Sequence, residues 1–191
     1  MLELTCQLLY FGAPLLPTAI AHGLCIKYHW LKIFARPMDF GLSFRGKRIF
    51  GDNKTWRGFV IHVLFCTLGT VTQAHFQSAG IIPPWLPLLD YERHGLIAGA
   101  LMGTGMTLGE LPNSFVKRRL AIPPGRKKGG VLGCLFFLFD QVDLLIGIWV
   151  FLYFLVRPSL FMILWSFLMM ILLHVTVSTT GFFLGMRKTI I

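Results

Sequence analysis

Apolar residues gather into five long runs along this chain, approximately Leu4 to Ile26, Gly58 to His75, Gly95 to Leu111, Val131 to Val156 and Ser159 to Leu184. A membrane helix needs ~20 apolar residues to cross ~30 Å of hydrocarbon, and each run is long enough once tilt is allowed. The expected fold is all-α: a polytopic membrane protein of about five transmembrane helices, forming one membrane-embedded domain over residues 1–191. Pro14 and Pro17 interrupt the first run, where neighbouring helices must satisfy the freed carbonyls, and Arg157-Pro158 separates the fourth from the fifth. Small residues recur at Gly99/Gly103, Gly105/Gly109 and Gly181/Gly185, a spacing that lets helices approach closely and points to internal packing.

Polar positions divide just as sharply. Lys27, Lys32, Arg36, Arg45, Lys47, Arg48, Lys54 and Arg57 lie between the first two runs, Lys117, Arg118, Arg119, Arg126, Lys127 and Lys128 between the third and fourth, and Arg187 and Lys188 after the fifth. If five helices alternate, sixteen of the eighteen Lys and Arg fall on one side, with Arg93 and Arg157 opposite. The positive-inside rule then sets the N-terminus outside, the C-terminus in the cytoplasm, and two basic loops on the cytoplasmic face, in the plasma (inner) membrane. Composition agrees: 55% hydrophobic and 14% charged, with a mean hydropathy of +0.69, is too apolar for a soluble domain. The net charge of +10 therefore reports orientation and attraction to anionic lipid or phosphorylated substrates, and nucleic acid is not an expected partner.

Several features carry no chemistry. Cys6, Cys25, Cys66 and Cys134 stand in apolar stretches without metal or disulfide spacing, and the six histidines show no ligand pattern. The first run lacks a basic flank and a small-residue cleavage pattern, so it is expected to be a retained helix. The external connection from Phe76 to His94 reads as an interfacial loop with Trp85 and Tyr91 at headgroup depth. Ser178, Thr179 and Thr180 are expected to bond backbone or neighbouring helices.

Three constellations can carry chemistry. The first is the loop Gly46-Lys47-Arg48-Ile49-Phe50-Gly51-Asp52-Asn53-Lys54-Thr55-Trp56-Arg57-Gly58, running into the second helix. Its glycines let backbone amides turn toward an anion, the helix start adds partial positive charge, and Lys54, Thr55 and Arg57 supply donors. It lacks P-loop spacing, and a topology-setting loop on anionic lipid is the competing reading. The second is Gly109-Glu110-Leu111-Pro112-Asn113-Ser114-Phe115-Val116-Lys117-Arg118-Arg119. On a helix Ser114, Lys117 and Arg118 share one face, and Glu110 extends it inward, either as a site residue or in a structural pair; Pro112 is a source of distortion in that turn.

The third is the sharpest. Asp140 and Asp143 lie inside an otherwise apolar span, at i, i+3 on one helical face. Two carboxylates in low dielectric need a counter-charge, and magnesium suits them, because oxygen ligands and substrate phosphates complete its octahedron. Salt bridges to loop arginines and a proton relay are the alternatives.

In this order, GKRIFGDNKTWRG, GELPNSFVKRRLAIPPG and FDQVD make the chain resemble the CDP-archaeol synthase family, within the broader membrane phosphatidate cytidylyltransferases. The resemblance spans roughly Pro37 to Gly147 and rests on a GDGKTWRG-like loop, a G-D-x-x-x-S-F-x-K-R-R segment and a D-Q-x-D pair. Asn53 stands where the family has glycine, Glu110 where it has aspartate, and Pro112-Asn113 precede Ser114.

The resemblance implies an Mg²⁺-dependent enzyme in which a membrane glycerolipid phosphate attacks the α-phosphate of CTP, giving a CDP-activated lipid and pyrophosphate. Asp140, Asp143, Lys117 and Arg118 are the implied catalytic set. Asp52, Lys54, Thr55, Arg57 and Ser114 are the implied nucleotide- and phosphate-binding set. Asp140 and Asp143 are the implied metal ligands, with Glu110 as a further candidate. A phosphate monoester is already largely anionic near neutrality, its second pKa being about 6, so neutralisation and positioning matter more than a general base. A transporter using its intramembrane carboxylates, or a noncatalytic scaffold for anionic lipid, would be the alternative.

Overall fold

The computed structural model describes residues 1–124 and 130–183. Arg126, Lys127, Lys128, Gly185, Arg187 and Lys188 lie outside the described residues, as do the side chains of Cys134, His174, Ser178, Thr179 and Thr180.

The first apolar run forms two helices, α1 (Leu2–Gly12) and α2 (Leu15–Lys27). Pro14 is the cause, since its ring cannot donate to the carbonyl of Tyr10. That carbonyl accepts instead from the Ala13 amide and from the Gln73 side chain of the next helix, so a neighbour does satisfy the freed group. The Pro14 ring seats against Gly69, where any side chain would collide with it.

A loop with a short 3-10 turn at Lys32–Phe34 and a hairpin of β1 (Ser43–Phe44) and β2 (Lys47–Arg48) follows. This small antiparallel pair is a departure from the all-α expectation, and Arg45 and Gly46, both at positive φ, form its tight turn. Helix α3 (Trp56–Ser78) begins where the Thr55 hydroxyl accepts the Gly58 amide at 3.4 Å, and α4 (Tyr91–Arg119) begins where Asp90 accepts the Arg93 amide at 3.2 Å. Helices α5 (Gly130–Val156) and α6 (Leu160–Phe183) complete the described residues.

Helix α4 outruns its apolar segment at both ends and continues through Pro112. It is tolerated as a less apolar helix because it is central, packed on α3 on one side and on α5 on the other, with α2 against α3 and α6 against α5. Two glycine stripes make this possible. Added side chains at Gly99 and Gly103 would strike the α3 backbone around His62, Val63, Cys66 and Thr67, whereas Gly105 and Gly109 meet α5 around Asp143, Gly147 and Ile148. The core lies along these seams: Leu8 and Phe11 of α1, Cys66 of α3, Met102 and Met106 of α4, and Ile148, Trp149 and Leu152 of α5 are all buried. Phe11 stacks on Trp149 at 5.0 Å, and two indole N–H groups find hydroxyls, the buried Trp149 on Ser166 at 2.9 Å and the half-buried Trp165 on Thr5 at 3.0 Å.

Tyr91 corrects the interfacial reading of the Phe76 to His94 connection. It is fully buried, edge-on to Tyr10 at 5.8 Å, because α4 starts at this residue and turns it inward; Trp85 remains exposed.

Candidate active site

Lys54, Glu110, Lys117, Asp140 and Asp143 gather at one end of the bundle, where α3 begins, α4 ends and the first half of α5 passes α4. The convergence follows from packing. Gly109 lies against the Asp143 carbonyl and Gly147, so the α4 and α5 backbones touch beside the two aspartates. At that spacing the side chains one turn further along α4 reach α5. The Asn113 amide donates to Oδ1 of Asp140 at 2.6 Å and to Oδ2 of Asp143 at 2.7 Å, and the Lys117 ammonium pairs with the same Oδ1 of Asp140. Asp143 is buried, while Asp140 is partly open to the loop side, with 43% of its side chain exposed.

Across the same space Lys54, from the loop before α3, forms an ion pair with Glu110 of α4. Glu110 is thus paired with a cation, and among the described residues no group of three His, Cys, Asp or Glu forms a metal cage. Ser114 is buried on α4 between the Glu110 and Lys117 turns.

Arg118 differs from its neighbours. Its Nε and Nη1 atoms are buried and have no hydrogen-bond partner among the described residues. A guanidinium stays charged at every physiological pH, and nitrogens left without a partner are free to donate to an anion. Gly51 lies against it with φ of +96°, a conformation that suits glycine, and a Cβ there would come within 3.0 Å of Pro124 and 3.7 Å of the Arg118 side chain.

Other members of the basic loop have structural partners. Thr55 caps α3, and the Arg57 guanidinium donates to the carbonyls of Cys25 and Trp30 at 3.5 and 3.4 Å, holding the end of α2. Asp52 is exposed and bound to Arg48 at 2.7 Å.

Sequence reasoning missed three residues that shape this region. Asn113 was only a departure from a pattern, yet it bridges the aspartates. Arg119 donates to the backbone carbonyls of Phe44, Lys47 and Arg48 and so fastens the hairpin to the end of α4. Asp39 is the hub of the loop. Its side chain is fully buried, bound to Arg48 at 2.6 Å, and accepts the amides of Phe50, Gly51 and Gly41 at 2.9, 3.0 and 3.1 Å. Burial alone would raise its carboxyl, but the guanidinium and three amides outweigh that and hold it well below the usual carboxylate range. An aspartate before Phe-Gly carries no signal of this in the sequence.

Beneath the cluster, His62 of α3 is bonded through both ring nitrogens, to Thr107 of α4 at 2.8 Å and His22 of α2 at 3.1 Å. Both nitrogens are thus used in hydrogen-bonded packing between helices.

Fold and site together define a helical membrane protein with paired carboxylates, balancing cations and one unpaired arginine gathered at a single end of its bundle. The chain belongs to the CDP-archaeol synthase family: the CarS-like family model for CDP-archaeol synthase matches residues 1–190. A CDP-archaeol synthase of Methanospirillum hungatei is 35% identical over 163 residues, covering 80% of this chain and 87% of that protein. One from Pyrococcus furiosus is 43% identical over 90 residues, about half of either chain at 47% and 48%. A solved structure described as an intramembrane enzyme for archaeal membrane lipid biosynthesis shares the fold, with a TM-score of 0.62 at 21% identity over 90% of this chain and 92% of that one.

Proposed function

We propose that this protein is a CTP-dependent cytidylyltransferase that converts a membrane glycerolipid phosphate into a CDP-activated lipid. The observation that carries the reading is the placing of Asp140 and Asp143, two carboxylates in an apolar helix, against Asn113, Lys117 and the unpaired Arg118 at the end of α4. A transporter does not need two long basic loops, and a noncatalytic scaffold does not need aspartates within hydrocarbon.

In this reaction a lipid phosphate oxygen forms a bond to the α-phosphorus of CTP as the bond to the β-phosphate bridging oxygen breaks, and pyrophosphate leaves. The nucleophile is already an anion, so the work of the protein is to gather mutually repelling phosphates in line. Arg118 offers two buried, unpartnered nitrogens, Nε and Nη1, to phosphate oxygens, and Lys117 stands one residue away. Lys54 and Glu110 fix the loop against α4, while Asp39 and Arg119 hold the remainder of that loop in place. Asp52, Thr55 and Arg57 then contribute through the loop's shape and charge, and Ser114 through a hydroxyl on the inward face of α4.

Mg²⁺ fits the donor set. One amide nitrogen bonds both aspartates, at 2.6 and 2.7 Å, so the two carboxylate groups stand close enough to share one cation with Asn113 still between them. Two protein carboxylates plus phosphate oxygens and water are what this ion prefers over a closed cage. Asp140 and Asp143 would hold it, and it would supply neutralisation of phosphate charge.

The five-crossing topology belongs to the same proposal. Helices α1 and α2 together and α3 have the length and hydropathy of membrane spans, and α4, α5 and α6 would complete five crossings, with the N-terminus outside and the site at the cytoplasmic face of the plasma membrane. An apolar groove of about 620 Å³ beside α2 and α3, lined by Ile20, Leu24, Trp30 and Phe65 among others, has the chemistry a lipid tail requires.

Purified protein supplied with radiolabelled CTP, Mg²⁺ and either an ether-linked isoprenoid or a diacyl glycerol phosphate is expected to yield a labelled CDP-lipid in the organic phase. Asp140→Asn and Asp143→Asn are expected to abolish it while leaving membrane insertion intact. Folded protein that gives no product with either lipid and fails to bind CTP would overturn the proposal.

A further inference from the structure

Oδ1 of Asp140 already has two nitrogen donors, the Asn113 amide and the Lys117 ammonium. Asp143 has the same amide on Oδ2 and the Leu144 backbone N–H on Oδ1. Asp140, Asp143 and Lys117 therefore leave one net negative charge. A divalent cation bound by the aspartates would turn that into one net positive charge, with an ammonium and a metal ion repelling each other across a single carboxylate. The two aspartates cannot serve both cations equally well.

Asn113 and Lys117 differ in what they can do about this. Asn113 is neutral, and with both amide hydrogens on the aspartates it is a spacer that ties α4 to α5. Lys117 carries charge on a flexible four-carbon stem. Its ammonium also lies 5.5 Å from the centre of the Phe136 ring, which offers it a resting place off Asp140, and one residue further along α4 is the unpaired Arg118.

Resting on the metal reading above, we infer that Lys117 is an exchangeable counter-ion: it neutralises Asp140 until a divalent cation arrives, then gives up that carboxylate and turns its charge to the substrate's phosphate. Metal binding and phosphate binding are thereby coupled through one side chain. Asn113 stays with the carboxylates and preserves their spacing. The device also keeps two intramembrane aspartates from facing each other without a counter-charge when no metal is present.

The inference has a sign that an ordinary phosphate-binding lysine lacks, because removing Lys117 must tighten metal binding. The probe is Mn²⁺ alone, titrated into purified full-length protein in detergent and followed by the spin resonance of the free ion, with no CTP or lipid present. Lys117→Met is expected to bind Mn²⁺ about fivefold tighter than the unaltered protein, the equilibrium equivalent of one partly exposed ion pair. Lys117→Arg, which keeps the charge, is expected to match the unaltered protein. Lys117→Gln serves as a second neutral variant if Lys117→Met fails to fold by thermal melting. Once Mn²⁺ is saturating, the neutral variants are expected to bind CTP more weakly. Unchanged or weaker Mn²⁺ affinity in the neutral variants would overturn the exchange while leaving the metal site standing. Absence of Mn²⁺ binding in the unaltered protein, or its persistence in an Asp140→Asn, Asp143→Asn double variant, would overturn the metal reading and the exchange together.

Discussion

Gly147→Ala tests whether the contact between α4 and α5 sets the site. Gly147 lies four residues after Asp143, on the same face of α5. A methyl group there would drive into the Gly105 carbonyl and the Gly109 Cα, all backbone of α4, so no side chain can swing away. A carbon and a carbonyl oxygen rest at about 3.3–3.6 Å, and restoring that distance from 1.9 Å moves the two backbones apart by roughly 1.5 Å. Overpacking of this kind costs about 1–3 kcal/mol. Replacing a helical glycine by alanine returns about 1 kcal/mol of propensity. The net destabilisation is up to about 2 kcal/mol, a melting temperature lower by up to about 8 °C for a chain of this size.

Activity is expected to fall much further than stability. Asn113 reaches Asp140 and Asp143 at 2.6 and 2.7 Å, and an added separation of that size breaks both hydrogen bonds. A misplacement of about 1 Å costs on the order of a hundredfold in turnover. The assay is CDP-lipid formation beside a thermal melt, with Gly23→Ala as the control, since a Cβ at Gly23 meets nothing within 4 Å. The control is expected to keep its activity and to gain up to about 1 kcal/mol. Wild-type turnover in Gly147→Ala would refute the argument that this helix contact positions the carboxylates.

Arg118→Ala is expected to raise the KM for CTP roughly ten- to a hundredfold, the worth of charge-assisted hydrogen bonds, without lowering the melting temperature, because the lost guanidinium had no internal partner; a lower melting temperature with unchanged KM would show it to be structural. Asp39→Asn weakens the buried acceptor of three loop amides and the pair with Arg48, which keeps Asp52, and is expected to lower stability measurably by thermal melt. Because the Asp39 carboxyl is held below its ordinary value, its contribution is complete above about pH 4 and is lost as pH falls through the lowered folded value. The stability gap between Asp39→Asn and the unaltered protein, read by acid titration of thermal melts, should therefore be constant above that pH and shrink below it. Lys54→Met and Glu110→Gln, each leaving a half-buried charge alone, are expected to harm stability more singly than their sum predicts for the pair, with a coupling of about 0.5–3 kcal/mol in a double-mutant cycle; strict additivity would mean that the ion pair holds nothing.

The apolar runs were legible because their requirement is local: a backbone segment in hydrocarbon must satisfy its own hydrogen bonds, and ~20 apolar residues announce it. The carboxylate pair was legible for a related reason, since Asp140 and Asp143 share a helical face whatever packs against it. Glycine spacing announced close approach but not the partner. That Gly99 and Gly103 meet α3 while Gly105 and Gly109 meet α5 depends on α4 being central. Its ends run past the apolar segment because helical hydrogen bonding, begun at the Asp90 cap, does not need apolar side chains, and Glu92 and Arg93 at that end are exposed.

What counterbalances each charge was decided only by the tertiary structure. Lys117 and Asn113 are 23 to 30 residues from the aspartates they hold, and Lys54 is 56 residues from Glu110. Asp39 becomes the loop's hub only when Phe50 and Gly51 fold back onto it with Arg48. A sequence states which charges must be neutralised in low dielectric; the approach of α4 to α5 and the return of the loop to α4 choose the partners, because ion pairs and hydrogen bonds act over a few ångströms of space and have no memory of distance along the chain.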